Sequence, residues 1–249
     1  MKYRLIILIV LVAISLAATA AAGNIMENLM DNNRLANAPE RDAVQSAIDN
    51  GKVIDVLIAN SDRFLAEDLS SVAGPDDLAY GEPYKVAMAN KELVKALLDG
   101  KKLSGTVLGL RHIWEVPVVL KNDPEQALCT FTVALHNGAW RVVEVGGFLA
   151  KDEIGFAANK AKQLEALRKN ALDNGTSYVH LRIPAARMDY LYTESNNQEY
   201  FLKMNHRRHA GKNSITPAGD KKKQNRKEVM AEVETRLKEL NDEPGKDGK

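Results

Sequence analysis

Residues 111–147 read RHIWEVPVVLKNDPEQALCTFTVALHNGAWRVVEVGG, three β-rich runs separated by the turn signals Asn122-Asp123-Pro124 and Asn137-Gly138. In the first run Trp114, Val116, Val118 and Leu120 fall on one side, with Glu115 and Pro117 on the other, the period of two expected of a half-buried strand. Pro117 has no N–H to give a ladder, so it belongs on an edge strand or at a bulge. The second run sets Cys129, Phe131, Val133 and Leu135 against Leu128, Thr130, Thr132 and Ala134. Asn137-Gly138 then offers the two positive-φ residues of a tight type I′ hairpin.

Counting back from a two-residue turn sets Leu135 against Trp140, Val133 against Val142 and Phe131 against Glu144. That register lays a carboxylate on the most apolar face of the meander, which is costly without a partner. A one-residue bulge instead brings Val143 and Val145 opposite Val133 and Phe131 and turns Glu144 outward. A cationic or hydrogen-bonded partner, or a sheet end open to water, are the other ways out.

At 249 residues the chain has room for one ordinary domain with appendages or two small ones. Its formal net charge of +1 steers it as a whole toward neither nucleic acid nor membrane. The N-terminus has the three parts of an export signal. MKYR is basic, residues 5–18 are apolar except for Ser15, and the small residues ATAAAG follow, with A-x-A at 18–20 and 20–22. A retained signal anchor is the rival reading. It would tether the body to a membrane, with Lys2 and Arg4 on the cytoplasmic side. Either way the body is expected to be exported, to the periplasm or the extracellular space. Cys129 is the single cysteine, so no intramolecular disulfide can form and the fold must rest on its core.

Residues 1–22 are thus read as the signal, 23–38 as a polar, Asn-rich leader, and 39–204 as the globular domain. Pro39 stands at a helix start, with Val44, Ala47 and Ile48 on one face. A second apolar run, 53–69, has largely helical spacing, although its first half VIDVLIA suits a strand as well. Gly81-Glu82-Pro83 opens a short strand. Asn90 is a natural N-cap for KELVKALLD, with Gly100 just past its end. Residues 152–173 have the most regular helical period in the body, and the runs SYVHLRI, MDYLYTE and QEYFLKM are three further strands.

This order predicts an α+β fold: a mostly antiparallel, curved sheet with one long helix packed on it, N-terminal helices and a charged C-terminal tail. In outline it resembles cystatin-like and other small folds that lay one helix over a curved sheet, a likeness of shape that rests on no motif.

Candidate chemistry is sparse. Cys129 shares the inward face with Phe131 and Val133, whereas a reactive thiolate wants a cationic, partly exposed setting. His136 lies seven residues along the same strand, about 23 Å away, so a Cys-dependent hydrolase would need His112 or His180. Glu144 is the other candidate, as an acid–base group. The five histidines show no metal-ligand spacing, and no phosphate-binding or dinucleotide loop occurs, so no metal or cofactor is expected.

The last three strands carry the clearest ligand-binding candidates: Tyr178, His180, Arg182, Arg187, Tyr190 and Tyr192. If those strands form a meander, rings and cations could line one face, stacking sugars or bases and holding anionic groups. The competing reading makes them cross-strand packing pairs under a helix. Between Lys203 and Lys227 stand nine Lys or Arg against the single acid Asp220. Within the run, Arg207, Arg208, Lys221, Lys222 and Lys223 are candidate contacts for an anionic partner; the alternative is a solvated linker, 205–224. Residues 225–240 turn helical, with Val229, Val233, Leu237 and Leu240 as a narrow seam that could dock on a partner or on the chain's own body. The end, to 249, is frayed. The function expected is a non-enzymatic binding or accessory role in the envelope or outside the cell, toward a protein or envelope polymer and without specific nucleic-acid recognition.

Overall fold

The computed structural model describes residues 34–60, 72–103, 110–146, 151–170, 172, 178–195, 198–204 and 222–242. The candidates Arg207, Arg208 and Lys221 lie outside them, as do the export signal and most of the leader.

Two helices, α1 (Arg41–Gly51) and α2 (Val53–Ala59), open the body. Strands β1 (Leu78–Tyr80) and β2 (Tyr84–Ala89) lead to α3 (Lys91–Leu98), whose N-cap Asn90 accepts the Leu93 N–H at 2.8 Å. The meander follows as β3 (Leu110–Leu120), β4 (Asp123–His136) and β5 (Ala139–Val145). Helices α4 (Lys151–Ala158) and α5 (Lys160–Lys169) cross to β6 (Val179–Ile183), β7 (Met188–Ser195) and β8 (Gln198–Met204). A short β9 (Lys223–Asn225) and the 17-residue α6 (Arg226–Asp242) complete the described chain.

Among the described residues, nine strands form one sheet in the order β5-β4-β3-β2-β6-β7-β8-β9, with β1 also on β3. Every pairing is antiparallel except β2 with β6, so a single parallel joint unites two antiparallel halves. Mixed α and β with a largely antiparallel sheet is as the sequence predicts. The helices differ in two respects. The period running through 152–173 is broken at Asn159, whose backbone is extended and whose side chain caps α5 by accepting the Lys162 N–H. One long helix therefore becomes two, and the longest helix described is the C-terminal α6. Helices also cover both faces. α1 and α2 lie over the β3–β4–β5 end of one face. On that same face α3 and α6 lie over the β6–β7–β8 end. α4 and α5 lie on the opposite face.

The register of the meander settles the Glu144 question. Val145 faces Phe131 and Glu144 faces Thr132, with a bulge just before Val133. Glu144 is thereby turned to the exposed face. The extra residue is Val143, which is 52% exposed, while Val142 keeps its place opposite Val133. Asn137 and Gly138 take φ of 50° and 79°, the two left-handed residues of the hairpin.

Pro117 corrects the edge half of its expectation, since β3 is a central strand, and it stands one residue before the register shift that the β3–β4 ladder makes between Val118 and Val119. β1 and β2 pair with successive segments of β3, and Pro117 faces the Gly81–Pro83 connection between them, where its carbonyl accepts the Gly81 N–H at 2.8 Å. The absent N–H therefore falls where no ladder bond is due. Gly81 eases this approach, since a Cβ there would lie 3.2 Å from Pro117 and 3.3 Å from Val119, a few tenths of an ångström tighter than usual contact.

Two stretches outside the expected domain are packed into it. Leu35 and Ala38, within the presumed leader, are buried against α1 and the meander. At the other end Val229 and Val233 are fully buried beside Tyr190, Tyr192 and Phe201. Of the two placements open to α6, it takes its own body.

Cys129 is 1% exposed among Trp114, Val118 and Phe131. Its thiol is expected to resist Ellman's reagent in the native protein and to react at once in denaturant, followed by absorbance; prompt native labelling would mean that this face has been assigned the wrong way round.

Candidate functional site

Two polar clusters sit back to back on the sheet at the parallel joint. On the α4–α5 face, alternation brings Tyr84 of β2, Glu115 of β3, Thr132 of β4, His180 and Arg182 of β6, and Asp189 of β7 to one side. Arg182 donates to Asp189 Oδ1 through Nε at 2.9 Å and to Glu115 Oε1 through Nη1 at 2.7 Å. His180 Nε2 lies 2.7 Å from Asp189 Oδ1, so the imidazole donates there. Thr132 donates to Glu115 at 3.1 Å. Tyr84 stacks parallel on His180 at 5.6 Å.

All six side chains are buried, the two carboxylates to within 1%. Burial opposes the charge on Arg182, yet Asp189 and Glu115 outweigh it and hold the guanidinium more firmly protonated than usual. Burial, reinforced by the Glu115 charge, pushes the Tyr84 phenol well up, so it stays neutral. The cluster is a buried ion network in which the Tyr84 hydroxyl, Glu115 Oε2 and His180 Nδ1 make no hydrogen bond among the described residues.

The six ligand-binding candidates separate in this geometry. Tyr178 shares the face of His180 and Arg182, but its hydroxyl is committed to Gln163 of α5 at 2.7 Å. Tyr190 and Tyr192 stand opposite Leu181 and Val179, hence on the other face, where both pack edge-on against Phe201. Tyr192 donates to Glu199 at 3.2 Å, and Tyr190 to Glu232 of α6 at 3.5 Å. Arg187 is exposed in a left-handed turn, φ 54°, away from the rest. Six residues that alternate in the sequence thus fail to form one wall, because paired strands place directly opposed residues, not like residue types, on a common face.

The second cluster, on the α1–α2 face, was not evident from the sequence. Glu40 Oε1 accepts from His112 Nε2 at 2.8 Å, Lys85 Nζ at 3.1 Å and Trp114 Nε1 at 3.2 Å. Lys85 is buried, and its ammonium also lies 4.9 Å from the Trp114 ring centre. His112 is more open, 29% exposed at its side chain, and its ring lies 5.5 Å from that of half-buried Trp140. The available signal was Lys85 itself, a cation at an inward position between two buried strand residues.

Burial raises the Glu40 carboxyl, but a backbone hydrogen bond and the Lys85 and His112 contacts outweigh it, and the net direction is down. Burial and the Lys85 charge together hold His112 below its ordinary value, despite the pull of Glu40.

The proposed nucleophile finds no base among the described histidines. Cys129 is opposite Val118, six residues or about 20 Å along β3 from His112, and His180 is on the other face. His136 lies seven residues away along β4 itself. Among the described residues no group of three or more His, Cys, Asp or Glu is placed to hold a metal ion. Compared with protein-family models, with curated proteins and with solved structures, the chain matches none.

Arg182→Leu leaves Glu115 and Asp189 buried without their shared cation and should cost about 3–5 kcal/mol in urea unfolding. A loss below about 1 kcal/mol would show that the network is no support. The Glu40 corner predicts a pH dependence. Both groups have depressed folded pKa values, so the folded state binds fewer protons than the unfolded one in acid. Stability is complete above pH 6.5, falls as His112 protonates in the unfolded chain first, and falls again below pH 4.5 with Glu40. Melting curves from pH 8 to about 3 should show both steps, and His112→Gln should remove the upper one and keep the lower one, reduced by the share that the His112 contact contributes to it.

Proposed function

We propose that the protein is an exported, non-enzymatic binding or accessory module that works in the cell envelope or outside the cell. The export half of this reading rests on the basic, apolar and small-residue succession of residues 1–22. The non-enzymatic half rests on how the polar groups are used. The observation that carries it is that Glu40 Oε1 already receives three donors, so this carboxylate oxygen is engaged by its own neighbours His112, Lys85 and Trp114.

A proton-transfer site needs a group left free to reach a substrate; here the rings, not the charges, face outward. His112 and Trp140 form a half-open aromatic corner suited to stacking on a flat or sugar-like ring. The ligand would be an envelope polymer or a protein segment rich in rings.

The test has two parts. Fractionation with mass analysis of the mature N-terminus should place the protein outside the cytoplasm, either cut after residue 20 or 22 or anchored through an intact leader. The fluorescence of Trp140, isolated in a Trp114→Phe background, should shift on binding soluble cell-wall fragments, while peptide, ester and glycoside substrates show no turnover. Turnover abolished by changing a single polar residue would overturn the reading.

A basic-tail reading has its own support in the exposed Lys222 and Lys223, which lead into β9. Because residues 223–242 belong to the fold, charge removal at Arg207, Arg208, Lys221 and Lys222 is the proper test, not truncation. That variant should lose salt-sensitive retention on heparin if the tail binds anionic polymers.

A further inference from the structure

The β5 margin of the sheet combines an open edge, exposed apolar side chains and a symmetric charge pattern. Among the described residues β5 has a strand neighbour on one side only, β4. Four large apolar side chains are exposed among those residues, and three gather here: Leu135 at 59%, Val143 at 52% and Val56 at 43%. Val56 borders a groove of about 450 Å³ between α1–α2 and β5, with Trp140, Arg141, Val142 and Val145 on its strand side. β5 carries no Pro, and its two charges, Arg141 and Glu144, are of opposite sign, so the same bulge and charges that discourage pairing with an unrelated strand can suit a matching one.

The bulge supplies the decisive feature. In a regular strand, residues three apart point to opposite faces. The extra residue Val143 changes that parity, so Arg141, opposite Ala134, and Glu144, opposite Thr132, share a face. Trp140, opposite Leu135, and Val145, opposite Phe131, share the other face. Outward from the Val142–Val143 bond, the strand therefore has the same order of faces in both directions.

We propose that two copies of this chain pair antiparallel along their β5 edges, about a two-fold axis through that bond. Val142 of each copy then stands opposite Val143 of the other. Arg141 meets Glu144 twice, and Trp140 meets Val145 twice, each of these four pairs on a common face. Opposite charges directly across a ladder attract, and a closed two-fold contact uses the same patch on both copies. The contact is confined to one seven-residue strand on each copy, smaller than the roughly 1,000 Å² of a stable specific interface, so the dimer forms reversibly.

Sedimentation of the full chain, kept dispersed in a mild non-ionic detergent, tests this over a range of concentrations. The expected result is a concentration-dependent monomer–dimer equilibrium. Arg141→Glu turns two attractions into repulsions and should weaken association by about tenfold. The double variant Arg141→Glu/Glu144→Arg should restore it, and Val143→Lys, at an exposed site that leaves the core alone, should abolish it. A protein that stays monomeric up to about 100 μM, a dimer indifferent to Val143→Lys, or a double variant no better than Arg141→Glu would each overturn the proposal.

Discussion

Arg182 holds the two halves of this protein together. It projects from β6, reaches across β2, and binds Glu115 on β3 while also binding Asp189 on its neighbour β7. β2 and β6 form the single parallel joint in the sheet, and the paired length there is short, Val86–Met88 against His180–Arg182. A guanidinium spanning that joint adds a fixed geometry which apolar packing alone would leave free to slide. Its planar fork suits two carboxylates at once in a way that a lysine could not match. Desolvating three charges is expensive, so such a network is a means of specifying register more than of adding stability. With the register fixed here, the helices on each face have defined surfaces to cover.

Much of the fold could be read from local patterns. The meander, the type I′ hairpin at Asn137-Gly138, the Asn90 cap and the burial of Cys129 all follow from spacing and turn chemistry within a few residues. The places that misled are those where distant pairing decides. Asn159 breaks a helical period because its side chain caps a new helix and because the Ala157 and Ala158 carbonyls are taken by Gln163 and Arg34. Pro117 sits in a central strand because two separate short strands share one long one. No window around either residue contains that information.

The candidate site illustrates the same limit. Tyr178, His180 and Arg182 were correctly grouped with one another, since alternation within a strand fixes their face. Joining Tyr190 and Tyr192 to them needed the β6–β7 register, which places Leu181, not His180, opposite Tyr190. The Glu40 cluster gathers residues from the start of α1, from β2, from β3 and from β5, and only the fold brings them together.

The last helix has a bearing on when the protein becomes itself. β9 covers the flank of β8, Arg226 grips Glu199 and the carbonyls that end α3, and Val229 and Val233 fill the interior beside Tyr190. A nascent chain that has made everything as far as Met204 still has a bare strand and an unfilled interior. The interior beside Tyr190 is therefore complete only once this helix has docked, and folding cannot finish before it does.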